Sequence, residues 1–284
     1  MKVLLIVILC SVIFSCSSSD QLNKAVERIN GVTIDDVNEL DDIVVSLDEL
    51  SKRPTVRIVF DSDQPAAYYK EPVNRIHKVG FIMGELLDSY NMKDYTVNQY
   101  KKRIDDYLGT LGSKIDIWEI GNEVNGEWLG NSDSVMKKIM KAYRLVKSSG
   151  NRCALTLYYN DSCRQKPENE MFRWAGENIP GFMRDSLDYI FISYYEDECN
   201  DLQPEWQSVF DSLHVLFPDS KLGIGECGTK FADKKEEYLK RYYSMQIKTP
   251  NYVGGYFWWY YKQDCVPNSK PMWKVLDNVL KVTQ

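Results

Sequence analysis

Short runs rich in Val, Ile, Tyr and Phe alternate along this chain with longer stretches whose apolar residues recur every three or four positions. Alternating or continuous apolar runs read as strands, and the 3.6-residue period reads as an amphipathic helix. Strands are expected near Gly31 to Ile34, Thr55 to Asp61, Val79 to Glu85, Ile115 to Glu123, Cys153 to Tyr159, Tyr189 to Tyr195, Lys221 to Glu226 and Val253 to Tyr260. Helices are expected between and after them at Val37 to Lys52, Ala66 to His77, Val97 to Leu111, Asp133 to Ser148, Glu170 to Asn178, Pro204 to Phe217, Asp233 to Lys248 and Pro271 to Lys281. Eight strands, each followed by a helix, predict an α/β fold with parallel strands and right-handed crossovers, the (β/α)8 TIM barrel. A doubly wound open sheet is the alternative. Asp133 or Ser134 is placed to cap the fourth helix and Gly150 to end it, while Pro271 suits a first helical turn.

No linker divides residues 31–284, which are expected to form one barrel domain. The segment before it has a different character. Lys2 and the apolar run Val3 to Phe14 form a leader, and Ser15 places a small residue before Cys16. Residues 1–15 therefore resemble a bacterial lipoprotein signal, with Cys16 the lipidated residue and 16–30 a tether. Cys10 follows Leu9 and fits less well; an ordinary secretory signal or short anchor is the alternative. The run is shorter than the ~20 residues of a spanning helix. The implied location is the bacterial cell envelope, lipid-anchored, with the membrane reached through the anchor only.

Composition narrows the partners. A hydrophobic fraction of 44% with 27% charged residues suits a large core, and a net charge of −6 without any run of Lys or Arg speaks against nucleic acid or an anionic membrane. A neutral poly- or oligosaccharide fits, and a monomer is expected. With Cys10 and Cys16 set aside, five of the seven cysteines remain, and none has a C-x-x-C spacing, so no metal site is expected. Cys163 and Cys199 would lie in loops at one end of neighbouring strands, making them the first disulfide pair to test, although five small buried thiols is an equal alternative.

Catalytic groups of such a barrel come from the C-terminal ends of its strands. That rule collects Asp61, Asp63, Glu85, Asn122, Glu123, Tyr194, Tyr195, Glu196, Asp197, Glu226, Trp258 and Trp259 at one mouth, with Glu127 and Trp128 just beyond. Aromatic faces stack on sugar C–H surfaces, and carboxylates and amides hold hydroxyls. The only two histidines, His77 and His214, fall in helices, which disfavours a Ser-His-Asp triad or His-bound metal. Gly223-Ile-Gly-Glu-Cys-Gly228 matches G-x-G-x-x-G, but its glycines lie within the strand rather than opening a helix, so dinucleotide binding is not expected.

Trp118-Glu-Ile-Gly-Asn-Glu123 resembles the strand-four Asn-Glu signature of the clan A glycoside hydrolases. That clan consists of retaining TIM-barrel glycosidases. The resemblance implies that Glu123 is the acid/base, that Asn122 binds the substrate 2-hydroxyl, and that Glu226 in Gly223-Ile-Gly-Glu is the strand-seven nucleophile. Arg57 in Thr55-Val-Arg-Ile-Val59 is similar to the arginine beside that nucleophile. Asp188-Tyr-Ile-Phe-Ile-Ser-Tyr-Tyr195 resembles strand six of the endo-β-1,4-galactanases, and Gly255-Tyr-Phe-Trp-Trp259 the strand-eight tryptophan platform.

Strand residues alternate faces, so one of Tyr194/Tyr195 and one of Trp258/Trp259 is expected at the mouth, the other in packing. Trp118 reads as core and Glu119 as structural. The expected reaction is double displacement without cofactor, with carboxyls about 5 to 5.5 Å apart. A lipid-anchored glycan-binding protein on an inactive TIM barrel is the rival reading.

Overall fold

The computed structural model describes residues 28–282, so the leader, Cys16 and most of the tether lie outside the described residues. Strands β1 (Ile29–Ile34), β2 (Thr55–Val59), β3 (Phe81–Glu85), β4 (Ile117–Glu119), β5 (Cys153–Tyr158), β6 (Tyr189–Tyr194), β7 (Lys221–Cys227) and β8 (Tyr252–Trp258) pair in chain order into a closed barrel. Every pairing is parallel. The fold is thus the (β/α)8 barrel expected from the alternation of periods.

Helices α1 (Leu40–Asp48), α2 (Lys70–Val79), α3 (Val97–Leu111), α4 (Ser132–Ser148), α5 (Met171–Asn178), α6 (Gly181–Arg184), α7 (Trp206–Leu216), α8 (Lys235–Tyr243), α9 (Tyr261–Cys265) and α10 (Pro271–Val282) surround it. The short α6 and α9 were not expected, because four or five residues are too few to show a period. Helix α3 buries Tyr100, Ile104, Tyr107 and Leu111, the stripe that packs it on the barrel. The α4 cap falls on Asn131 rather than Asp133 or Ser134, its side chain accepting from the Ser134 N–H at 3.2 Å. Gly150 follows α4 with φ +75°, a conformation glycine adopts without steric cost.

Two apolar layers result. Ile29, Met83, Ile117, Ala154, Tyr189, Phe191, Val253 and Phe257 fill the lower barrel, while the larger cluster lies between strands and helices. Fully burying each large apolar side chain stabilises the fold by about 1.5–3 kcal/mol. Both layers and all eight pairings lie within the described residues. Above the inner layer the barrel turns polar, with Arg57, Glu119, Thr156, Ser193 and Glu226 all buried.

Strands β7 and β8 are irregular where they approach that polar layer. Ile192 pairs with Ile224 but Ser193 pairs with Glu226, so Gly225 is an extra residue. In β8, Gly255 has φ +94°, and a Cβ there would lie 2.2 Å from the Ile224 carbonyl oxygen. A side chain at this position would separate the two strands. Cys163 and Cys199 form a disulfide with Cα atoms 4.8 Å apart, joining the loops after β5 and β6. Cys153, Cys227 and Cys265 are free and buried.

Candidate active site

Strand β4 is shorter than its apolar run suggests. It leaves the ladder after Glu119, and residues 120–124 bend around Thr156 of β5: the Thr156 N–H donates to the Gly121 carbonyl at 3.0 Å, and its carbonyl accepts from the Val124 N–H at 3.1 Å. Asn122 and Glu123 therefore sit on a bulge rather than on the strand, with Glu123 at φ +49°. Gly121 permits the bend, since a Cβ would meet Ile139 Cδ1 at 2.3 Å. Asn125 fixes the far side, its amide donating to the Tyr158 and Asn169 carbonyls and accepting from the Tyr158 N–H.

Glu226 reaches the same mouth by a different device. In a regular strand it would follow Leu222 and Ile224 toward the helices; the extra residue Gly225 returns it to the interior. There its Oε2 accepts from Arg57 Nη1 at 2.7 Å and from Asn122 Nδ2 at 3.5 Å, and its Oε1 from the Tyr195 hydroxyl at 2.7 Å. Glu123 accepts from the Ser193 hydroxyl at 2.6 Å and the Ser89 hydroxyl at 2.9 Å. Ser193 is also the register partner of Glu226, so one residue of β6 lies beside both carboxyls.

Arg57 is fully buried and is shared among three carboxylates. Its guanidinium meets Glu119 at 2.6 Å, Glu226 at 2.7 Å and Glu85 at 3.0 Å. The ring of Trp259 lies 5.7 Å from it. One cation against Glu85, Glu119, Glu123 and Glu226 leaves excess negative charge, which protonation relieves. Burial first, and the Glu226 charge second, push Glu123 up to about 8, against the two serine hydrogen bonds. Burial also raises Glu226, opposed by Arg57 and by Tyr195. Glu85 lies well above the ordinary carboxylate range because burial outweighs its contact with Arg57.

The cavity over these groups has a volume of about 200 Å³ and is lined by Glu123, Glu226, Asn122, Tyr195 and Trp259, with Asp88, Ser89, Tyr90, Trp128, Tyr158, Glu198 and Tyr260 completing its walls. A second depression of about 240 Å³ adjoins it, sharing Trp128, Tyr158 and Glu198. Trp128 forms the ridge between them: it stacks on Tyr90, meets Tyr158 edge-on, and donates through Nε1 to the Ser89 hydroxyl at 3.0 Å. The Asn122 Oδ1 is buried without a protein partner.

Six residues expected at or just beyond the mouth lie elsewhere. Tyr194 points to the helix side, donating to the Leu202 carbonyl at 2.6 Å and packing on Trp206, because its neighbours Ser193 and Tyr195 take the inward face. Trp258 is fully buried, with its indole N–H on Asp264 at 2.9 Å; Trp259 holds the mouth position. Glu127 lines only the second depression, and its carboxylate accepts from the Gln165 and Lys166 N–H groups, bracing the loop after β5. Glu196 pairs with Arg241 at 2.6 Å, Asp61 accepts from Tyr69, and Asp197 accepts from Thr229, all away from the carboxyl pair. His77 and His214 lie in α2 and α7. Ser89, Tyr90 and Tyr158 were missed, and Ser193 entered only within the strand-six resemblance. For Ser193 a signal existed: it shares the parity of Tyr189 and Phe191, both in the inner layer. Among the described residues, no group of His, Cys, Asp and Glu is arranged to hold a metal ion.

No protein-family model and no curated protein matches this chain. Among solved structures it is similar to Gas2p of Saccharomyces cerevisiae in complex with laminaritriose and laminaritetraose, at 12% identity and a TM-score of 0.59 over 91% of this chain and 65% of that one. Gas2p with laminaripentaose gives 14% identity and a TM-score of 0.58, covering 92% and 66%. An apo β-glucosidase designated 1317 gives 14% identity and a TM-score of 0.50, covering 77% and 76%. This chain thus spans about 65% of the length of the Gas2p chain. The likeness is one of fold, the eight-stranded β/α barrel.

Proposed function

We propose that the protein is a retaining glycoside hydrolase that cleaves poly- or oligosaccharides by double displacement. The observation that carries this reading is a pair of buried carboxyls in one cavity with different partners: Glu123, held only by serine hydroxyls, is pushed up to about 8, whereas the rise of Glu226 is opposed by Arg57 and Tyr195. Glu226 attacks the anomeric carbon as the bond to the leaving oxygen breaks, and Glu123 gives that oxygen its proton. The glycosyl ester on Glu226 no longer carries charge, so a cause of the raised Glu123 pKa is gone. Glu123 is then a carboxylate able to take a proton from water as that water displaces Glu226.

Asn122 serves the substrate 2-hydroxyl, with its free Oδ1 accepting, and Trp259 forms the platform over Arg57. Trp128 and Tyr158, which line both cavities, offer aromatic faces for a second sugar in the adjoining depression. Similarity to Gas2p, seen with laminari-oligosaccharides, makes those oligosaccharides the first substrates to test, followed by β-1,4-galactan. The leader and Ser15-Cys16 support a lipid anchor at Cys16 and a place in the bacterial cell envelope. Proton NMR of the first product formed tests the mechanism: retained anomeric configuration is expected, and inversion overturns it. A protein that binds these glycans without releasing reducing ends is instead a glycan-binding barrel.

A further inference from the structure

The opposite end of the barrel, where the strands begin, holds a well of about 220 Å³. Arg28, Lys52, Arg53, Arg152 and Lys221 line it, with Asp116 the one carboxylate among its lining residues. Two of the arginines are oriented by neutral acceptors: Arg53 donates to the His77 and Gly80 carbonyls, and Arg152 to the Asp116 carbonyl. Such bonds aim a guanidinium without cancelling its charge. Lys221 lies 5.4 Å over the Tyr189 ring, and Lys52 is exposed. Asp116 is already engaged, accepting from the Ile82 N–H at 2.8 Å and lying 3.9 Å from Arg152. Of the described residues that line the well, five are cationic and one is a carboxylate, in a chain of net charge −6; Asp188 and Asp219 border Arg152 and Lys221 in a neighbouring depression.

Arginine forks and lysine ammoniums around a small well suit phosphate oxygens. Arg28 opens the described chain and lies twelve positions after Cys16 (28 − 16), a span of at most about 40 Å. A lipid on Cys16 would therefore hold this end of the barrel close to a membrane surface.

We propose that the well binds the phosphate group of an anionic phospholipid headgroup, seating the barrel floor on the membrane with the mouth turned away. The choice of lipid as the source rests on the anchor reading; the phosphate chemistry does not. The test uses the unlipidated chain from Ser17 onward, which keeps both apolar layers and all eight pairings, so that binding is read without the anchor. Flotation with phosphatidylglycerol vesicles should carry the protein, and phosphatidylcholine vesicles should not. Lys52→Gln and Lys221→Gln should each weaken flotation by roughly fivefold, with unchanged melting curves. Equal binding to both vesicle types, or phosphatidylglycerol binding that ignores both substitutions, overturns the proposal. Inorganic phosphate that binds as tightly as the vesicles, by calorimetry, overturns the lipid source. Intact mass of the full-length chain produced in bacteria reads the anchor separately, because an unmodified Cys16 removes the anchor reading and leaves the flotation result standing.

Discussion

The two ends of this barrel carry opposite charge and handle it in opposite ways. At the mouth, Glu85, Glu119, Glu123 and Glu226 are buried around a single buried guanidinium. At the floor, five cations ring an open well with one carboxylate among them. Charges withdrawn from water must be paired or neutralised, so each group at the mouth is tied to the others and few can change alone. At the floor Lys52, Arg53 and Arg152 are exposed to water, and each acts nearly independently. On the proposed reading, the mouth serves chemistry that depends on one proton, and the floor serves graded attraction.

Substitutions should expose that difference. Glu123→Gln should lower kcat by about 10²- to 10⁴-fold on substrates with poor leaving groups, as steady-state rates would show. Arg57→Leu leaves three buried carboxyls without a counter-charge and should cost about 3–5 kcal/mol in urea unfolding, more as pH rises. Reducing Cys163–Cys199, or replacing both with Ser, should cost about 2–4 kcal/mol without altering the carboxyl pair. Ser193→Ala removes a hydrogen bond that lowers the Glu123 pKa, so the alkaline limb of the pH–rate profile should move upward from about 8. Replacing the exposed Lys52 should leave that profile unchanged.

The same proton sets a pH dependence of stability. Glu123 ordinarily titrates at about 4.5 and is raised to about 8 in the fold. Its contribution is therefore complete below the unfolded pKa and is lost as pH rises through about 8. Turnover should fall over that same alkaline range, as the protonated form disappears.

How far the chain can be read without its fold differs between these regions. Eight changes of period are local, and the barrel follows from them. Asn122 and Glu123 are visible as a polar interruption of an apolar run, yet their bulge is not, because it depends on the Thr156 backbone of another strand. The inward turn of Glu226 depends likewise on Gly225 being unpaired against β6. Tyr194 against Tyr195 was a question of parity, which Tyr189 and Phe191 settle only once they are known to fill the barrel. The floor is the extreme case. Its cations come from positions 28, 52, 53, 152 and 221, so no run of Lys or Arg announces them and the net charge points the other way.

The proposed role of Glu226 is tested most directly by Glu226→Ala assayed with and without azide on an activated glycoside. Turnover should be abolished in water and partly restored by azide, giving a glycosyl azide of inverted anomeric configuration by proton NMR. An undiminished rate in the unassisted variant would contradict the account.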